Sequence, residues 1–187
     1  MKTIILASKS PRRKALLEKA GIKFKVVESK VKEHFDPILK PNGIAKKLSL
    51  EKAKEVYRNH KKSIIIAADT LVTCNGKILG KPKDKEDAKK MLEFLSGKIH
   101  SVITGFTIID GNKIITRSEK TKIHMRKISN QEIDSYIKTN EPFDKAGAYA
   151  IQGKAQKFIE KIEGDFDNAV GLPINSLVPE LKKLGVK

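Results

Sequence analysis

Apolar residues fall along this chain in short runs and helical stripes whose period changes repeatedly, the pattern of interleaved strands and helices. Residues 3 to 7 form an apolar run closed by Ser8-Lys9-Ser10-Pro11, and residues 12 to 20 carry helix formers up to Gly21, which predicts strand, loop and helix. Ser10 suits the N-cap, Pro11 the first helical position and Gly21 the left-handed position beyond the helix. Residues 23 to 28 predict a second strand. The polar stretch after it, with Glu33, Asp36, Pro37 and Pro41, reads as a long loop. Helical spacing resumes at Ile44, Ala45, Leu48, Val56 and Tyr57. The run Ile64-Ile65-Ile66-Ala67-Ala68 has the character of a strand buried on both faces. It stops at Asp69-Thr70, which predicts a central strand with a carboxylate at its C-terminal end.

Asn75-Gly76 between two apolar stretches predicts a type I′ hairpin. Asp84, three residues before Asp87, predicts the cap of a helix with Ala88, Met91, Leu92 and Leu95 on its core face, ending near Gly97. Residues 99 to 109 and 113 to 126 read as strands joined around Asp110-Gly111-Asn112. Ser129 with Glu132 forms a capping box for a further helix. Residues 141 to 153, rich in Gly and Ala, read as a site loop running into a strand. Residues 158 to 162 predict the last strand and 174 to 184 the last helix. No internal repeat or low-complexity linker interrupts the series, so the fold class is α/β with a mixed sheet.

The 187 residues, 39% of them hydrophobic, suffice for one domain with an ordinary core. The lone Cys74 cannot form an internal disulfide, and no apolar run approaches the ~20 residues that span a bilayer. Both point to an unsecreted, cytoplasmic protein without a membrane partner. A net charge of +17 fits nucleic acid, an anionic surface or a polyphosphate substrate. The lysines are spread along the chain, and three Tyr, seven Phe and no Trp offer little for stacking bases. The four histidines, His34, His60, His100 and His124, lack metal-ligand spacing, and neither a Walker A nor a Rossmann glycine pattern is present.

Ser8-Lys9-Ser10-Pro11-Arg12-Arg13 places hydroxyls, backbone N–H groups and two guanidinium groups at a helix N-terminus, either a solvated basic start or a site for an anion. Arginine in a first turn opposes the helix dipole, which favours the anion. Lys52 interrupts the stripe of Ala45, Leu48 and Val56, where it either snorkels to solvent or faces a phosphate. Asp69 after five apolar residues is costly unless a cation or a reaction uses it; capping of the next turn is the plainer alternative. Glu33 is either a solvated loop residue or a second carboxylate, and the two together would suit Mg²⁺. Lys81, confined between Gly80 and Pro82, would neutralise a phosphate. In the run after Asp144-Lys145, small residues let backbone approach a ligand and Gln152 offers donor and acceptor.

Six segments in order, Leu6 through Arg13, Glu51-Lys52-Ala53, Ala68-Asp69-Thr70, Gly80-Lys81-Pro82, Glu141-Pro142 through Gly153 and Val170-Gly171-Leu172-Pro173, resemble the motifs of the Maf family, also called septum formation inhibitor proteins. Ser96-Gly97, His100 and Thr104-Gly105 add to the match. The resemblance implies a Maf/Ham1-like (ITPase-like) α/β fold, a curved mixed sheet flanked by helices in two lobes with a central cleft, and a homodimer. It implies hydrolysis of nucleoside triphosphates to monophosphate and pyrophosphate, and the Ser10-Pro11-Arg12-Arg13 turn, Asp69-Thr70 and the residues from Asp144 to Gly153 resemble the branch acting on dTTP and UTP. By the same resemblance Asp69 is the proton acceptor and a metal contact with Glu33, the metal being Mg²⁺ or Mn²⁺. Ser8, Arg12, Arg13, Lys52 and Lys81 handle phosphate, and Arg12, Thr70 and Gln152 select the substrate. The alternatives from other classes are a basic nucleic-acid binder and a septum-regulating protein without catalysis.

Overall fold

A computed structural model describes residues 2–32, 34, 36 and 38–186. The chain opens with β1 (Ile4–Leu6), α1 (Pro11–Lys19), β2 (Lys25–Val26), α2 (Pro41–Asn59), β3 (Ile64–Cys74) and β4 (Lys77–Leu79). It continues with α3 (Lys85–Leu95), β5 (Ile99–Asp110), β6 (Lys113–Met125) and α4 (Asn130–Ile137). Three 3₁₀ turns, Glu141–Asp144, Ala146–Ala148 and Lys154–Phe158, lead to β7 (Ile159–Glu163), α5 (Phe166–Val170) and α6 (Ile174–Lys183). The seven strands make one mixed open sheet in the order β2-β1-β3-β5-β6-β7, with β4 also beside β3. β1 is parallel to β2 and β3, and the remaining pairs are antiparallel.

The central strand positions the site. On one edge β3 pairs with β5 over most of its length, from Ile65 to Thr73. On the other edge Ile64, Ile65 and Ile66 pair with β1, and Val72, Thr73 and Cys74 pair with β4. Between those partners the edge of β3 has no strand beside it among the described residues, because the chain leaves β1 after Leu6 and turns into α1. Asp69 lies in this gap. The sequence places it at the strand's C-terminal end; it is instead mid-strand, since polar Asp69 and Thr70 continue the ladder opposite Gly105 and Thr104.

Alternation then assigns side chains to faces. Ile65, Ala67 and Leu71 pack under α2 with Ala53, Val56 and Leu48, which puts Asp69 on the α2 face. Ile64, Ile66, Ala68 and Val72 join the main core with α1, α3 and α6, which puts Thr70 on the opposite face. Gly105, opposite Asp69, lets α2 settle onto the sheet: a Cβ there would lie 2.3 Å from the Ala45 carbonyl.

Most local readings of the sequence hold. Ser10 accepts from the Arg13 N–H, Asp84 from that of Asp87, and the Ser129–Glu132 capping box closes in both directions. Asn75 and Gly76 both have positive φ, 48° and 77°, as a type I′ turn requires. Two of these readings are corrected, and one element was not foreseen. The second strand is only Lys25–Val26, limited by pairing with the short β1. Residues 141–153 run through 3₁₀ turns, not into a strand, because positive φ at Gly147, Ala148 and Gly153 breaks any extended course. Helix α5, five residues capped by Asp165, is too short to show a period.

Candidate active site

A cleft of about 520 Å³ opens at the gap in β3. It brings together Ser8, Arg12, Arg13, Lys52, Asp69, Thr70, Lys81 and Gln152, contributed by the β1–α1 turn, α2, β3, the turn after β4 and the residues before β7. Glu33, the expected second carboxylate, lies outside the described residues.

Lys52 reaches from α2 to the α2-facing side of β3, where its Nζ donates to Asp69 Oδ1 at 2.5 Å. Both side chains are largely buried, at 12% and 6% exposure. No described residue donates to the second oxygen, Oδ2. The lysine that breaks the apolar stripe therefore neither snorkels away nor stands in the main core; it fixes the carboxylate that the gap exposes.

Arg13 has a different place. Its Nε donates to the Gly171 carbonyl at 2.9 Å, Nη1 to Ser8 Oγ at 3.2 Å and Nη2 to Thr70 Oγ1 at 3.0 Å. These bonds tie the β1–α1 turn, β3 and the end of α5 together. Thr104 Oγ1 donates to the Asn168 carbonyl at 2.9 Å, so its contact with Thr70, 3.0 Å, takes the proton of Thr70. Since Thr70 accepts from Arg13 and donates to Thr104, the chain of hydrogen bonds has one direction. Ser8 Oγ likewise accepts twice, from the Ser10 N–H and from Arg13, which leaves its own proton to donate.

Arg12 points across the cleft mouth, with Nη1 3.5 Å from Asp144 Oδ2. Lys145 Nζ lies 2.5 Å from Asp144 Oδ1 and 2.6 Å from the Glu141 carbonyl. Partial burial pulls the Asp144 carboxyl upward, but Lys145 and Arg12 outweigh it and hold the group below its ordinary value. A carboxylate thus sits between two cations that line the cleft. Lys9, at the same rim, is paired with Glu28 at 2.8 Å.

The inner wall carries Tyr149, whose hydroxyl is 2.5 Å from His100 Nε2 with the rings edge to face. Burial, with a smaller contribution from His124, lowers His100 to about 4, so the ring is neutral at neutral pH. Asp144, Lys145, Tyr149 and Thr104 fell within segments the sequence singled out but received no individual role, because the contacts with Arg12, His100 and Asn168 that give Asp144, Tyr149 and Thr104 their places join residues far apart in the chain.

The Asp69 carboxylate, facing a gap rimmed by Arg12, Lys52, Lys81 and Lys145, defines an α/β protein with a site for a strongly anionic ligand. The fold is that of two solved structures, a HAM1 protein from Coxiella burnetii and the Ham1 protein of Staphylococcus aureus. The first superposes with TM-score 0.56 at 13% identity, covering 98% of this chain and 100% of that one. The second gives 0.55 at 16%, covering 97% and 99%. A Maf-like protein family profile matches residues 3–184, and the chain belongs to that family. A dTTP/UTP pyrophosphatase of Bacillus anthracis is 47% identical over 186 residues, 100% of this chain and 97% of that protein. The protein of that name from Bacillus cytotoxicus is 49% identical over 183 residues, 98% and 96%.

Proposed function

We propose that this protein is a nucleoside triphosphate pyrophosphatase that hydrolyses dTTP and UTP between the α and β phosphates, releasing monophosphate and pyrophosphate. The observation that carries the reading is Asp69, held at one oxygen by Lys52 and bare of described donors at the other, within a cleft whose rim is cationic. The names of the Bacillus relatives support the substrate assignment.

In this reading the Asp69 carboxylate orients a water and takes its proton as the water attacks the α phosphorus. Lys52 prevents the carboxylate from rotating out of line. Arg12, Lys81 and Lys145 stabilise charge gathering on the departing pyrophosphate, and the Ser8 hydroxyl donates to a phosphate oxygen. Arg13 acts at one remove, keeping Ser8 and Thr70 in place. Gln152 and Thr70 contact the part of the substrate that distinguishes one base from another.

The donor set suits a hard divalent ion, because one open carboxylate oxygen beside a polyphosphate is the usual protein share of a Mg²⁺ site. Asp69 would hold Mg²⁺ or Mn²⁺, with Glu33 as second ligand, and the ion would supply Lewis-acid charge at the phosphate oxygens. The reading includes a cytoplasmic homodimer with no stable nucleic-acid or membrane partner. No helix among the described residues is long and apolar enough to cross a membrane.

The test is a panel of nucleoside triphosphates with Mg²⁺ or Mn²⁺, with monophosphate, pyrophosphate and orthophosphate all measured. Pyrophosphate in step with UMP or dTMP is the expected result. Nucleoside diphosphate plus orthophosphate, or no turnover beside tight, salt-sensitive nucleic-acid binding, contradicts it.

A further inference from the structure

Glu141 does not line the cleft, yet its carboxylate closes the segment that does. Oε1 accepts from the Tyr136 hydroxyl at 3.1 Å, and Oε2 accepts from the Lys154 N–H at 3.2 Å, thirteen residues along the chain. Tyr136 is itself fixed: it is 2% exposed and stacks edge to face on Phe158, 5.4 Å between ring centres. The carbonyl of Glu141 accepts from Lys145 Nζ at 2.6 Å. Gly153 completes the closure. Its φ of 86° and ψ of −150° are essentially confined to glycine, and a Cβ there would stand 2.9 Å from Glu141 Oε1. The backbone is shaped around this carboxylate.

Between the two ends of the staple lie Asp144, Lys145, Tyr149 and Gln152, all on the cleft wall. Three other contacts hold the middle: Arg12 lies 3.5 Å from Asp144, the Gly147 N–H donates to the Gly80 carbonyl at 2.9 Å, and Tyr149 meets His100. None reaches Gln152, which is exposed and two residues from Lys154. The Glu141 carboxylate at Lys154 and the Tyr136 hydroxyl at Ala150, each two residues away, are the side-chain contacts nearest to it in the chain.

We propose that Glu141 is a positioning residue for the reaction, setting where Gln152 and Lys145 stand against the substrate. The proposal rests on the pyrophosphatase reading. Removing the carboxylate leaves the Lys154 N–H and Tyr136 hydroxyl without their acceptor and frees the Gln152 end, so substrate binding and base selection weaken before chemistry does. Glutamine keeps an acceptor for the Lys154 N–H and so retains the closure, while its amide N–H₂ turns to the Tyr136 oxygen, whose own proton loses its acceptor.

The test compares wild type, Glu141→Ala, Glu141→Gln and Tyr136→Phe for steady-state kinetics on UTP and CTP, alone and combined with Gln152→Ala, with melting curves to score folding. Glu141→Ala is expected to lower kcat/KM for UTP about tenfold, mainly through KM, and to narrow the UTP-to-CTP preference. Glu141→Gln stays within about threefold. In the Gln152→Ala background the Glu141→Ala loss shrinks, because the two act on one contact. Should Glu141→Ala fail to fold, Tyr136→Phe carries the same test with a smaller loss of the same kind. An equal loss in both backgrounds, a loss in kcat alone, or Glu141→Gln as poor as alanine overturns the proposal. Wild type inactive on UTP would instead sink the pyrophosphatase reading itself.

Discussion

Lys52 on α2 and Asp69 on β3 are joined at 2.5 Å across the packing of helix on sheet, so the geometry of the Asp69 carboxylate depends on how closely that helix sits. Lys52→Ala removes the partner of a carboxylate only 6% exposed. The expected loss is about 3 kcal/mol, the low end for a broken buried ion pair because the cleft admits water. That corresponds to a fall in Tm on the order of 10 °C, with at least a tenfold drop in kcat/KM. Lys52→Ala with Asp69→Asn restores part of the stability and none of the activity. Equal Tm for Lys52→Ala and wild type contradicts the pairing.

Gly105→Ala tests the same closeness from below. A Cβ 2.3 Å from the Ala45 carbonyl carbon cannot be accommodated without lifting α2. The helix carries Lys52, so the variant is expected to lose both stability, by about 3 kcal/mol or more, and turnover. A folded variant with wild-type Tm and kcat refutes the tight packing.

Arg12 and Arg13 are adjacent in sequence and separate in effect. Arg13 donates to Ser8, Thr70 and the Gly171 carbonyl, and a lysine cannot reproduce that fork. Arg13→Lys is expected to lower stability by about 2 kcal/mol together with kcat/KM. Arg12→Lys, whose partner is the exposed Asp144, is expected to raise KM with Tm within about 2 °C of wild type. The reverse assignment of the two effects contradicts the account.

His100 makes stability depend on pH in a definite direction. Its ordinary value of 6.5 applies in the unfolded chain and about 4 in the fold, so the unfolded state binds more protons between those values. The contribution is fully present above pH 6.5 and is lost progressively as pH falls toward 4, amounting to about 3 kcal/mol. Melting curves across this window are expected to slope less for His100→Gln than for wild type. Parallel slopes count against it.

Much of this was legible in the residues. Capping boxes, hairpin glycines and apolar runs act over a few positions, so α1, α3, α4 and the β3–β4 turn could be read directly. The basic turn, Lys52 and Asp69 could be singled out because each violates a local rule, a cation against a dipole or a charge in an apolar pattern. The mid-strand place of Asp69 could not, because it depends on where β1 lets go of β3. The division of labour between Arg12 and Arg13 depends on Thr70, Asp144 and Gly171, far off in the chain. Glu141 opened a matching segment without a role of its own; its meaning lies in Tyr136 and Lys154.

The central claim is that Asp69 directs water to the α phosphorus, and hydrolysis of UTP in heavy-oxygen water by wild type and Asp69→Asn tests it most directly. The account predicts the label in UMP for wild type, and a rate at least about two orders of magnitude lower for the folded variant. Label in pyrophosphate, or a variant as fast as wild type, would contradict it.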